Sequence, residues 1–226
     1  MKIIISLSFV AIALASYFFF VPKDAWVQNI DRPIQNTEVK AAIQIIAFGD
    51  SLTAGLGLSL SDSYPAQLET ALREQGFDVD VINSGVSGET TAGNLTRAQF
   101  IRDQNPDIVI LGIGGNDALR FLPIENAREN IRVTLTTLLS GESPPEVLLL
   151  SMQAPSNAGV SYKQSFDSIY PTLATEFSIP LAPFIVDEVS RNPNLLQADG
   201  IHPTAEGYTV LIDNYLFSAI MLLLTK

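Results

Sequence analysis

The chain has 226 residues, 47% of them hydrophobic, with 24 acidic against 13 basic side chains and a net charge of −11. It holds no cysteine and one histidine, His202. That excludes a disulfide framework, thiolate zinc and iron–sulfur sites, a cysteine nucleophile, and any site built from two imidazoles of one chain; the acidic balance argues against a nucleic-acid partner, because phosphate contacts need clustered Lys and Arg.

Residues 3–21 form an uncharged, proline-free apolar run that begins after Lys2 and ends at Pro22, Lys23 and Asp24. A helix of that length spans roughly 28 Å, close to the ~30 Å of a bilayer core. Two readings of 1–21 stand: a signal peptide cleaved near Ala13 and Ala15, or an uncleaved N-terminal membrane anchor. Cleavage there would leave Tyr17, Phe18, Phe19 and Phe20 on the new terminus, which favours the anchor. Both readings place the folded part outside the cytoplasm, in the periplasm or held at the inner membrane. No cysteine follows the run, so a lipoprotein anchor is excluded. Residues 22–42, with Pro22, Asp31, Arg32, Pro33, Asn36 and Thr37, read as a polar tether, and 43–226 as the folded domain.

Beyond the tether, strand and helix alternate. Residues 43–48 are a short apolar run closed by Gly49, a predicted strand. The spacing of Tyr64, Leu68, Ala71 and Leu72 predicts a helix over 62–75 that stops at Gly76. A second strand is predicted at 78–82 and a helix at 89–104, ended by Pro106. Residues 107–113 are fully apolar after Asp107, the pattern of a strand buried on both faces. A helix at 124–139, a strand at 146–150, a helix at 161–177, a short strand at 180–184 and a closing apolar helix at 204–224 complete the series. Five strands interleaved with helices predict an α/β protein, a three-layer α/β/α sandwich around a five-stranded parallel sheet. In such sheets ligands sit at the carboxyl ends of the strands.

The unusual residues cluster at those ends. Gly49-Asp50-Ser51-Leu52 follows the first strand, Asn83-Ser84-Gly85 the second, and Gly112-Ile113-Gly114-Gly115-Asn116-Asp117 the third. Asp199-Gly200-Ile201-His202 precedes the last helix. A serine hydroxyl is a weak nucleophile until a base takes its proton. His202 is the only imidazole, and Asp199, three residues before it, can orient it and stabilise its cation. Acyl transfer also needs donors aimed at the developing oxyanion, a role that the Ser51 N–H, the Gly85 N–H and the Asn116 side-chain amide fit. A glycine at 85 is expected to leave room for the substrate oxygen.

These four ordered blocks resemble the signature of the SGNH hydrolases, also called the GDSL esterase/lipase family, over residues 43–220. Gly114 to Arg120, Ser168-Ile169-Tyr170-Pro171 and Pro183-Phe184 make the likeness strongest to the bacterial periplasmic thioesterase I type, whose members are arylesterases, acyl-CoA thioesterases and lysophospholipases. The resemblance implies the flavodoxin-like SGNH fold, a Ser51–His202–Asp199 triad and an oxyanion hole of Ser51, Gly85 and Asn116. It puts Asp50, Leu52, Gly115, Asp117, Pro155, Asn157 and Ile201 around the substrate, with Asp50 and Asp117 mainly fixing their turns. In the loop Ala154-Pro155-Ser156-Asn157-Ala158-Gly159, Ala158 stands where the type usually has tyrosine, a departure that bears on acyl-chain preference.

The expected function is serine ester or thioester hydrolysis through an acyl-enzyme, without metal or organic cofactor. The expected partner is a small acyl ester or thioester, the chain acting as a monomer with membrane attachment only through its N-terminal segment. The alternatives are an acyltransferase or deacetylase acting on sugar or lipid esters, and a non-catalytic binding domain. Gly55-Leu56-Gly57 and Gly112 to Gly115 superficially resemble nucleotide loops but lack the P-loop lysine and the helix-opening spacing. Asn94-Leu95-Thr96 is read as a chance glycosylation triplet, and Glu89 as a helix N-terminal acid. The apolar run 215–224 reads as the buried face of the closing helix, with a rear wall for the acyl groove as its alternative role.

Overall fold

The structure, a computed structural model, describes residues 42–184 and 186–225. The segment read as signal or anchor, and nearly all of the tether, lie outside the described residues. The strands are β1 (Ile43–Gly49), β2 (Val79–Gly85), β3 (Ile108–Gly112), β4 (Glu146–Ser151) and β5 (Leu181–Pro183). They form one sheet in the order β2-β1-β3-β4-β5, every neighbouring pair parallel. The chain therefore winds one way from β1 to β2 and the other way from β3 onward. The crevice lies beyond the carboxyl ends of β1 and β3, where the winding reverses. Register levels those ends, since Gly49 pairs with both Gly85 and Gly112. Three turns thus begin side by side.

The helices are α1 (Ser51–Ala54), α2 (Tyr64–Glu74), α3 (Thr91–Asp103), α4 (Gly115–Leu119), α5 (Ile124–Leu138), α6 (Val160–Asp167), α7 (Ile169–Phe177), α8 (Asp187–Ser190), α9 (Ala205–Leu211) and α10 (Phe217–Leu224). A π-helical turn, Ile212–Leu216, joins α9 to α10. Ile45 to Phe48, Val109 to Leu111 and Leu148 to Leu150 are fully buried. Consecutive strand residues point to opposite faces, so burial of all of them requires helices on both sides of the sheet. This is why β1, β3 and β4 read as unbroken apolar runs rather than alternating ones.

Two expected helices are divided. The predicted helix at 161–177 stops at Asp167 and restarts at Ile169, with Pro171 in the first turn of α7, where a missing N–H costs no helical hydrogen bond. The closing helix contains the π turn, which apolar spacing does not reveal. Residues Ala205–Leu224 are long and apolar enough to cross a membrane by length and composition. Tyr208, Leu211, Ile212, Leu216, Ile220 and Leu223 are nonetheless buried in the core, which gives this stretch a sufficient packing role. Asn94 is fully buried and its amide donates to Glu89, so the triplet at 94–96 presents no accessible acceptor for a glycan.

Candidate active site

Asp50 caps α1, its Oδ1 accepting the Leu52 N–H at 3.0 Å, which sets Ser51 at the first helical position. A helix N–H there has no intrahelical acceptor and remains able to meet a ligand. The short helix is fixed from below by Tyr208, whose buried hydroxyl donates to the Leu52 carbonyl at 2.7 Å. It ends at Gly55 in the left-handed region.

The histidine arrives on a closed loop. Leu196 and Pro203 form an isolated antiparallel bridge, the Gln197 N–H donates to the His202 carbonyl at 2.8 Å, and the Thr204 N–H donates to Leu195 at 2.9 Å. Gly200 turns the chain at φ 68°, a conformation that a side chain would strain. Gln197 ties the loop to the other side of the site, its Nε2 donating to the carbonyls of Leu56 at 2.7 Å and Pro203 at 3.0 Å.

Across the gap, His202 Nε2 lies 2.8 Å from Ser51 Oγ. Its Nδ1 lies 2.6 Å from Asp199 Oδ2. The other Asp199 oxygen accepts the backbone N–H groups of Ile201 at 2.9 Å and His202 at 3.0 Å. Ser51 is 8% exposed, the His202 side chain 13% and the Asp199 side chain 46%, so solvent reaches the dyad from the carboxylate side. Partial burial pushes the Asp199 pKa up, but the His202 N–H, the His202 ring and the Ile201 N–H together outweigh it and hold the carboxyl at about 2. Asp199 is therefore ionised throughout the neutral range.

Asp50 behaves oppositely. It is 1% exposed, and burial pushes its pKa up to about 6 against the lowering effect of the Leu52 N–H, the His202 charge and the Asn116 amide. A carboxyl whose folded pKa exceeds its unfolded one adds stability below the unfolded value, near 3.8, and that stability is lost as pH rises through about 6. Asp50→Asn, which keeps an acceptor for Leu52, is accordingly expected to gain stability relative to the parent as pH rises from 4 to 8, by roughly 2–3 kcal/mol. Melting temperatures of the two proteins across that range check this; a constant difference would contradict it.

The groups expected to hold an oxyanion are placed unequally. Asn116, half-buried in α4, directs its Nδ2 to Asp50 Oδ2 at 3.4 Å. The Gly85 N–H is engaged by Asn83 Oδ1 at 3.0 Å. To meet a ligand this N–H must exchange the Asn83 oxygen for another acceptor. The reason for glycine is also different from the expected one. A Cβ at 85 would lie 2.2 Å from Ala54 N and 2.7 Å from its Cα, so the absent side chain admits the α1 backbone rather than the substrate oxygen.

Gly85→Ala should therefore lower stability as well as activity, the collision being with backbone that cannot rotate away; a shift of several degrees in melting temperature is the expected sign. An unchanged melting temperature would refute the steric account.

A cleft of about 170 Å³, mainly apolar, is lined by Leu52, Gly115, Leu119, Met152, Gln153, Pro155, Ser190, Leu196, Gly200 and Ile201. Of the residues expected around the substrate, Leu52, Gly115, Pro155 and Ile201 line it. Asp50, Asp117 and Asn157 do not. Both oxygens of buried Asp117 are taken by Thr91, from its N–H at 2.8 Å and its hydroxyl at 2.7 Å, and Asn157 is exposed on the loop outside the lining. The closing helix contributes no lining residue, so its role as a rear wall of this cleft is set aside.

Three side chains escaped the sequence reading. Arg97 pairs with Glu89, donates to the Ser84 carbonyl at 3.1 Å and the Gly49 carbonyl at 3.3 Å, and stacks 4.7 Å from the Phe48 ring centroid. It thereby ties the carboxyl ends of β1 and β2 together, and Glu89 is its counter-ion rather than a simple helix acid. Gln197 and Arg120 are the others. Their roles carry no sequence signal, because each acts through backbone carbonyls or a side-chain amide that only the fold brings within reach. Among the described residues, no cluster of three or more His, Asp or Glu side chains is arranged to hold a metal ion.

Residues 47–210 match the model of the GDSL-like Lipase/Acylhydrolase family. The chain belongs to this family and is a serine hydrolase acting on ester bonds. It is 34% identical over 179 residues to Esterase TesA of Pseudomonas aeruginosa, covering 79% of this chain and 88% of the relative. It is 34% identical over 174 residues to Thioesterase 1/protease 1/lysophospholipase L1 of Escherichia coli strain K12, covering 76% and 81%. Among solved structures, AlinE4, an SGNH-hydrolase family esterase, superposes with a TM-score of 0.66 at 44% identity, covering 76% of this chain and 92% of that one.

Proposed function

We propose that Ser51 is the nucleophile, His202 its general base and Asp199 the group that orients the imidazole and stabilises its cation, in the hydrolysis of small acyl esters and thioesters. The observation that carries this reading is the unbroken relay of 2.8 Å and 2.6 Å contacts from Ser51 Oγ through His202 to Asp199, at the winding reversal of the sheet. As Ser51 Oγ attacks the carbonyl carbon, its proton passes to Nε2, and the carbonyl oxygen becomes an oxyanion held by the Ser51 N–H and the Asn116 amide. The Gly85 N–H joins them on releasing Asn83. Collapse expels the alcohol or thiol, which takes the proton from Nε2. Water then attacks the acyl-serine with His202 again as base, and the acid and free Ser51 result.

The substrate reading follows from the cleft. Its lining by Leu52, Leu119, Met152, Leu196 and Ile201 suits an acyl chain, and the cleft is small, at about 170 Å³. Short and medium acyl groups fit; long ones must trail over the surface. A series of p-nitrophenyl esters from acetate to palmitate, run beside lysophosphatidylcholine and palmitoyl-CoA, tests this. Highest kcat/KM is expected between butyrate and octanoate, and a maximum at palmitate would overturn the substrate reading.

Asp199 is ionised from about pH 4 upward and contributes no limb to kcat/KM above that pH, whereas Asp50 ionises only near pH 6. The acid side of the kcat/KM profile is expected to persist in Asp50→Asn, and its disappearance would place the Asp50 charge in the chemistry.

For the chain as a whole, we read 1–21 as a signal or anchor and 22–42 as a tether, so that the 43–226 domain works as a monomer outside the cytoplasm. The apolar run and its single leading lysine support this. Fractionation should recover activity from the periplasm or the inner membrane, and recovery from the cytoplasm would contradict it.

A further inference from the structure

The geometry points to Arg120 as a positioning residue that fixes the Asn116 amide with its NH2 toward the oxyanion; this rests on the proposed role of Asn116. An asparagine amide can rotate by half a turn at almost no steric cost, exchanging a donor for an acceptor. Only one orientation serves an oxyanion, since the other would set a carbonyl oxygen against the developing charge. Two neighbours decide between them here. Arg120 Nη2 donates to Asn116 Oδ1 at 3.4 Å, and Asn116 Nδ2 donates to Asp50 Oδ2 at 3.4 Å. A guanidinium has no acceptor and an ionised carboxylate no donor, so the flipped amide would face repulsion on both sides.

The same Arg120 nitrogen donates to the Gly88 carbonyl at 2.8 Å, which anchors the guanidinium to the turn after Gly85. Arg120 ends α4 one helical turn beyond Asn116, so its reach to the amide is set by the helix itself. Its charge also draws electron density from the amide and strengthens the remaining N–H as a donor. Arg120 touches no reacting atom in this arrangement. It acts through Asn116.

The test is a double-mutant cycle on p-nitrophenyl butyrate hydrolysis with the full chain. Arg120→Met removes the donors and charge while keeping an unbranched stem; the side chain is exposed, and an unchanged melting temperature shows that the fold is kept. The expected result is a fall in kcat of about tenfold with KM within twofold, and a smaller fall for Arg120→Lys, which keeps the charge without the fork. Asn116→Ala alone is expected to lower kcat by about 10²- to 10³-fold. In the Asn116→Ala background, Arg120→Met should change kcat by less than twofold. An equal effect in both backgrounds, or an effect confined to KM, overturns the positioning role. A near-normal kcat in Asn116→Ala instead overturns the oxyanion reading on which it rests, so the two failures are distinguishable.

Discussion

Replacing Ser51 by alanine is expected to lower kcat for p-nitrophenyl butyrate by about 10⁴-fold or more while leaving the protein folded. The substitution removes one oxygen from a residue 8% exposed at the start of a four-residue helix. That helix keeps its other supports: the Asp50 cap, the Tyr208 hydroxyl on Leu52, and the turn at Gly55. Circular dichroism and melting should therefore match the parent. The residual rate should come from the amides proposed to hold the oxyanion, which remain in place. Turnover within tenfold of the parent would remove Ser51 from the chemistry.

The second large effect is expected at His202 and Asp199, the proposed base and its orienting acid. His202→Ala should match Ser51→Ala, since no other imidazole exists to substitute. Asp199→Asn is the more informative change. Oδ1 of Asp199 accepts two backbone N–H groups, and an asparagine oxygen can take over that place. Its NH2 then faces Nδ1, which must become the acceptor and leave the ring proton on Nε2. That tautomer cannot receive the Ser51 proton. A fall in kcat of about 10³- to 10⁴-fold is expected with KM little changed. A loss below tenfold would mean that the carboxylate, 46% exposed at its side chain, only decorates the loop.

Much of the fold was legible because its signals are local. Three strands are buried on both faces, so Ile45 to Phe48, Val109 to Leu111 and Leu148 to Leu150 stand out as unbroken apolar runs. Their glycine-rich ends mark the turns where a parallel sheet meets its ligands. The division at Ser168 and the π turn at 212–216 were not legible, because a helix can pause or widen without changing its apolar stripe. At the site, Ser51, His202 and Asp199 belong to short motifs, and the structure brings them within hydrogen-bonding distance. Gly85 shows the limit of such reading. A glycine signals close approach but not of what, and here it is the backbone of Ala54. Arg97, Gln197 and Arg120 hold backbone carbonyls from other segments, a function that any long donor side chain could signal and none does locally.

The central claim is that one serine, activated by one histidine, carries the acyl group. Reaction with a fluorophosphonate probe followed by peptide mass spectrometry tests it most directly. One adduct per chain is expected, on the peptide containing Ser51, absent from Ser51→Ala and strongly slowed in His202→Ala. An adduct on another residue, or undiminished labelling of Ser51→Ala, would contradict it.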